Sequence, residues 1–176
     1  LLNGEYREGW AENRWRWGTG SLQDAKRHQS IPKWTGQPLT GKRVLVWDEQ
    51  GFGDAIQFVR FVPWVAEMGA EVVFEAQPQL VRLFETVNGA GEVIPRGGAL
   101  PPVDYQVSLL DLGGVFCSDP TSIPNATPYL HVGNENRPAT ADRMRVGLCW
   151  AGNPCHDNDR KRSMDFELLR PLLELP

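Results

Sequence analysis

The sequence predicts an α/β fold built on a parallel sheet, and three observations predict it. Val44, Leu45, Val46 and Trp47 form a short apolar run, rich in β-branched and aromatic residues and bounded by polar ones. That is how a strand buried on both faces reads. Gly51 and Gly53 follow at once, and then Ala55, Ile56, Phe58, Val59 and Val62 at helical spacing. The order then repeats through EVVFEA (71–76), PQLVRLFETV (78–87) and a short strand at 92–95, a βαβαβ pattern with short turns. Strands joined in this way run parallel with right-handed crossovers, and helices are expected on both faces of the sheet.

Composition narrows the function classes. The 176 residues suffice for one domain with a proper core plus pieces of neighbours. A net charge of −4 indicates neither a nucleic-acid footprint nor an acidic tail. Cys117, Cys149 and Cys155 are odd in number and form no C-x-x-C pair, and no secretory signal is present, so a reduced, cytoplasmic compartment is expected. No apolar run reaches the roughly 18 residues of a membrane span. His28 and His131 stand in no ligand pattern, and no Cys and His spacing suggests zinc, so no metal is expected.

In chain order, Asn3-Gly4 marks a turn, and residues 5–17 place Tyr6, Trp10 and Trp17 along one helical face. A surface helix pinned by tryptophans fits that periodicity as well as a repeat element does. Residues 18–42 change to Gly, Ser, Gln, Pro and charge without a period. They read as a linker laid over the surface, anchored by Ile31, Pro32, Trp34, Pro38 and Leu39. The first strand and glycine turn follow, then a helix from about Asp54 to Met68 that Pro63 should bend or break, ended by Gly69. DYQVSLL (104–110) predicts a fourth strand and 111–117 a short helix interrupted by Gly113-Gly114. Four prolines between 118 and 138 make that stretch irregular and set a boundary there. MRVGLCW (144–150) predicts another buried strand, 151–162 a polar turn, and 163–175 a helix, so a second βα unit begins. The expected organisation is residues 1–17, 18–42, 43–138 and 139–176.

Ligands of open α/β sheets bind beyond the carboxyl ends of the strands, where helix N-termini offer free N–H groups. Asp48, Glu49, Gln50, Gly51, Gly53 and Asp54 occupy that place after the first strand. Three readings compete. A dinucleotide fold would use Gly51-x-Gly53 with Glu75 as the ribose-binding acid, but Ile56 stands where the third glycine belongs. Asp54 could be a plain helix N-cap, which leaves the two neighbouring acids unexplained. A group-transfer site would set this acidic turn against the basic turn of the second unit across a cleft, one activating a hydroxyl and the other holding a phosphorylated donor.

Two resemblances bear on the choice. LLNGEYREGW resembles the turn and second helix of a tetratricopeptide repeat (TPR). EQGFGDAIQFVRFVPWVAEMGAEVVFEAQPQLVRLF followed by VGLCWAGNPCHDNDRKRS resembles the glycosyltransferase region of bacterial TPR proteins, which is similar to the lipopolysaccharide heptosyltransferases. The resemblance implies a two-domain GT-B architecture of Rossmann-like sheets, with residues 43–138 as the acceptor side and 139–176 as the start of the donor side. It implies a nucleotide-sugar as substrate rather than a bound cofactor, and a protein or lipid-linked glycan as acceptor. The TPR region could engage protein partners.

Carried over by position, the resemblance makes Asp54 the catalytic base of an inverting, metal-independent transfer. A solvated Asp at a helix N-terminus is a weak base, so proton transfer would have to be late, or Asp48 and Glu49 would have to raise its proton affinity by like-charge repulsion. Gly152 and Asn153 match the loop after the first donor-side strand and Arg162-Ser163 its closing pair. Arg160, Lys161 and Arg162 would hold the departing diphosphate, while His156, Asn158 and Asp159 fit the pattern without an assigned role. A solvated face is the plain alternative for the basic run. The family's donor domain has further βα units, so the chain reads as a fragment with little activity alone, and a non-catalytic interaction module is the alternative function.

Overall fold

The computed structural model describes residues 1, 3–19, 22, 26–117, 119–132, 146–154, 156 and 158–174. Four strands, β1 (Arg43–Trp47), β2 (Glu71–Ala76), β3 (Glu92–Pro95) and β4 (Tyr105–Ser108), form one all-parallel sheet in the order β3-β2-β1-β4. β1 lies inside the sheet, with Val44 opposite Val72 and Tyr105, and Trp47 opposite Glu75 and Ser108. That central place demands an apolar run, because both faces and both edges are covered. The chain is thus α/β with a Rossmann-like parallel sheet, and its strand order reverses between β1 and β4.

One face of the sheet, carrying Val44, Val46, Val72, Phe74 and Val107, packs against the helices. α2 (Phe52–Phe58) passes through a 3-10 turn at Val59–Phe61 into α3 (Val62–Glu67). Pro63 dictates that break: in a continuous helix its ring would meet the carbonyl four residues back, whereas the first turn of a new helix accepts it. Ala55, Val59, Val62 and Val65 seal this face, together with Phe84 of α4 (Val81–Phe84) and Leu112 of α5 (Asp111–Phe116).

The other face departs from expectation. Leu45, Trp47, Val73 and Ile94 are covered by Trp17, Ile31 and Val103, and among the described residues no α-helix contributes to this face. The physical reason lies in the connections. Right-handed crossovers from β1 to β2 to β3 step in one direction and set their helices on one side. Only the return from β3 to β4 would put a helix on the other side, and residues 96–104 make that return without one.

The amino-terminal residues supply the missing layer. α1 (Tyr6–Asn13) tightens into a 3-10 turn at Arg14–Gly18, so Trp10 and Trp17 do not share the single helical face that their spacing predicts. Trp10 lies edge-on to Phe58 at 5.9 Å and against Gly113, where a Cβ would overlap the indole. Trp17 instead packs on Trp47, 5.6 Å between ring centroids. Further along, Trp34 and Leu39 are fully buried, and the Trp34 N–H donates to the Gln106 carbonyl at 2.8 Å. The Gln106 N–H returns a bond to Pro32 at 2.9 Å, so this segment extends the sheet beside β4.

The chain divides into two units, Leu1–Gly133 and Asn134–Pro176. The expected boundary at 138/139 and positions 144 and 145 of the expected strand lie outside the described residues. Residues 146–150 form no strand, and Val146 is largely exposed. A single parallel strand has no ladder to join until neighbours exist, which explains the difference from the sequence pattern. The expected helix over 163–175 is a 3-10 turn, Phe166–Leu169, capped by Asp165, followed by a short helix Arg170–Leu173. Among the described residues no helix is long and apolar enough to cross a membrane.

Candidate functional site

The turn after β1 is built from the strand outward. Asp48 and Glu49 leave β1 buried, Gln50 is half-buried, and Gly51, Phe52 and Gly53 are exposed. Gly51 caps α2 with φ −71° and ψ 170°, an extended conformation open to any residue, and Gly53 has open space where a Cβ would stand. Neither glycine is required by backbone or packing. Their effect is to leave the surface beside Asp54 bare. Asp54 sits in the first turn of α2, partly exposed, three residues after the N-cap Gly51. Among the described residues its carboxylate has no hydrogen bond or ion pair, so it is not the local N-cap that a plain helix start would provide.

The neighbouring acids are engaged, and their partners come from far along the chain. Glu49 has a completely covered side chain and accepts from Arg16 at 2.7 Å, and the same guanidinium reaches Ser108 at 3.1 Å and Asp111 at 2.8 Å. Arg16 therefore fills the reversal point between β1 and β4. Burial pushes the Glu49 carboxyl above its usual range despite the Arg16 bond, and among the described residues one of its oxygens, Oε2, has no hydrogen-bond partner. Asp48 is held by the Gln77 N–H at 2.7 Å and by Arg96. The Gln77 side chain closes the turn by donating to the Gln50 carbonyl at 3.0 Å. Asp48 and Glu49 are thus both paired with cations of their own, Arg96 and Arg16.

Glu75, at the end of β2, is bound by His28 at 2.8 Å, Arg27 at 3.0 Å and the Gly97 N–H at 3.1 Å. Burial alone would raise its carboxyl, but the His28 and Gly97 hydrogen bonds and the Arg27 charge outweigh it, and the group lies below its usual range. Glu75 is buried with both oxygens engaged by its own chain, which argues against its use as the ribose-binding acid of a dinucleotide site. His28 takes a φ of 57°, rare outside glycine, to make this contact. Asp111 also lies low: burial would raise it, and the charges of Arg16 and Lys33 and their hydrogen bonds outweigh that. Sequence reasoning missed Arg16, Arg27, Lys33 and Arg96, because each meets its acid across a long sequence separation and none lies in a motif.

In the second unit the predicted residues do come together. The Gly152 N–H donates to Ser163 Oγ at 2.9 Å, and that hydroxyl donates to Asp159 at 2.6 Å. The Arg162 guanidinium lies against Gly152, where a Cβ would overlap it, and 3.8 Å from Asp159. The Asn153 carbonyl accepts from the His156 N–H at 3.0 Å, and His156 Nδ1 accepts from the Asn158 N–H at 3.1 Å. Arg160 and Lys161 are exposed on the short helix Asp159–Arg162. The result is a closed loop with a basic rim; Cys155 lies outside the described residues. Among the described residues no three His, Cys, Asp or Glu side chains gather as a metal-ligand set.

Comparison with known proteins adds little to this geometry. Protein FlbA of Caulobacter vibrioides is 41% identical over 90 residues, covering 48% of this chain and 15% of that protein. The chain thus spans a small part of that relative. No family model matches the chain, and no solved structure matches it.

Proposed function

We propose that this chain carries the acceptor side, and the beginning of the donor side, of a glycosyltransferase of the GT-B kind that moves a sugar from a nucleotide-sugar to an acceptor hydroxyl. The observation that carries the reading is Asp54: a partly exposed carboxylate at the carboxyl end of the sheet, unbound by its own helix, beside two glycines whose small size nothing in the fold requires. Asp54 takes the proton of the acceptor hydroxyl as that oxygen attacks the anomeric carbon. The bond to the diphosphate breaks on the opposite side, inverting the centre, and the electron pair leaves with the diphosphate. Arg160, Lys161 and Arg162 of the second unit supply the positive charge that the leaving group needs. The acceptor is a protein or a lipid-linked glycan, and amino-terminal repeats would select it.

The test is Asp54→Asn in the intact protein. Transfer from the nucleotide-sugar is expected to fall at least 100-fold, with donor affinity by calorimetry within about twofold of wild type. Unchanged turnover removes Asp54 from the mechanism.

One observation favours a second reading, a non-catalytic interaction module: Arg16 occupies the crevice where a ligand of such a sheet would sit. Saturable nucleoside-diphosphate binding that disappears in Arg162→Ala supports the enzyme. Failure to bind any of a panel of nucleotide-sugars supports the module.

A further inference from the structure

On the face of the sheet away from α2, β4 breaks the apolar pattern. Its register sets Gln106 beside Leu45 and Ser108 beside Trp47, so two polar side chains stand where the rest of the face is apolar. Both are buried, at 8% and 1% exposure. Each has one hydrogen-bond partner, as buried polar groups ordinarily do, and each keeps capacity for another. Gln106 accepts from the Trp47 indole N–H at 2.7 Å, and among the described residues its amide nitrogen has no partner. Ser108 accepts from Arg16, and among the described residues its hydroxyl proton has no acceptor. Asp111 takes one bond on each oxygen, from Arg16 and Lys33, which leaves lone pairs on both.

These three residues border one cavity of about 240 Å³ whose aromatic walls are Trp17 and Trp47. Of its three lining cations, Lys33 is paired with Asp111 and Arg27 with Glu75, and Lys26 is exposed to solvent. A free anion seated against Gln106 and Ser108 would also face the Asp111 carboxylate. A neutral ligand that offers hydroxyls to accept from the amide and donate to the carboxylate, with an apolar ring face for the indoles, fits every group. We infer that this cavity binds one neutral sugar ring. The site is separate from the Asp54 turn and does not rest on the glycosyltransferase reading: a carbohydrate-binding module would use it equally.

The experiment is saturation-transfer NMR and calorimetry on the intact protein with methyl glucoside, methyl galactoside, N-acetylglucosamine, glucuronate and inorganic phosphate as probes. At least one neutral sugar is expected to bind saturably. Gln106→Leu, which keeps the shape and removes the amide, and Trp17→Ala are each expected to weaken it about tenfold or more, with the surface variant Glu67→Gln unchanged. If Gln106→Leu fails to fold, because Trp47 loses its acceptor, Trp17→Ala decides alone. The inference falls if no neutral sugar binds, if only phosphate or glucuronate binds, or if affinity survives in the folded variants.

Discussion

At the scale of single residues, the two acids that flank the β1 turn have different work. Asp54 is unengaged, whereas Glu49 is locked under Arg16. Removing Arg16 leaves a buried carboxylate without its cation, so Arg16→Met is expected to lower unfolding free energy by roughly 3–5 kcal/mol in urea titrations. Glu49 and Glu75 should also show opposite pH behaviour. Glu75, held low, contributes stability that is present above the ordinary carboxylate range and is lost as pH falls through its depressed value. Glu49, held high by burial, contributes stability that is present below that range and is lost as pH rises through its raised value. Urea titrations across pH 3 to 8 should therefore show Glu75→Gln losing less stability on acidification than wild type, and Glu49→Gln gaining relative to wild type as pH rises. Gly53 makes a sharper test. It sits inside α2 with room for a methyl group, so Gly53→Ala should stabilise the fold by about 0.5–1 kcal/mol, seen as a higher midpoint. If a ligand approaches Asp54, the same change lowers turnover; a gain in stability with full turnover would show the bare surface is unused.

Among the elements, the docking of α1 on α5 turns on one close approach. Gly113 admits the Trp10 indole, and any side chain at 113 occupies the same space. Gly113→Val is expected to release α1, which limited proteolysis would register as early cleavage within residues 5–17. α1 also shows where sequence pattern stops being sufficient. Tyr6, Trp10 and Trp17 align on a continuous helix, but the tightening at Arg14 turns Trp17 to the second face of the sheet. The strands were far more legible: the apolar or alternating runs at 43–47, 71–76 and 92–95 are the strands observed, because each run records its own burial. The run at 146–150 carries the same kind of pattern and forms no strand, since a strand is completed by partners and not by its own residues.

Across the whole first unit, the residues before β1 are part of the fold. They cover Leu45, Trp47, Val73 and Ile94, pair Asp48, Glu49, Glu75 and Asp111 with Arg16, Arg27 and Lys33, and set His28 in hydrogen-bond contact with Glu75. A chain shortened to begin at Arg43 should expose that face and leave those acids short of cations; loss of near-ultraviolet circular dichroism and of a cooperative melt is the expected outcome. An unchanged melt would mean the layer is decorative.

By itself the sequence determined the parallel α/β fold, the positions of the four sheet strands, the break at Pro63, and the placing of Asp54 just past a glycine turn. These follow from local periodicity and from the stereochemistry of proline and glycine, which act over a few residues. Only the tertiary structure decided which acids are free. The cations that claim Glu49 and Glu75 lie 33 and 48 residues earlier, at Arg16 and Arg27. Charge pairing acts through space, at distances of a few ångströms that no spacing along the chain records.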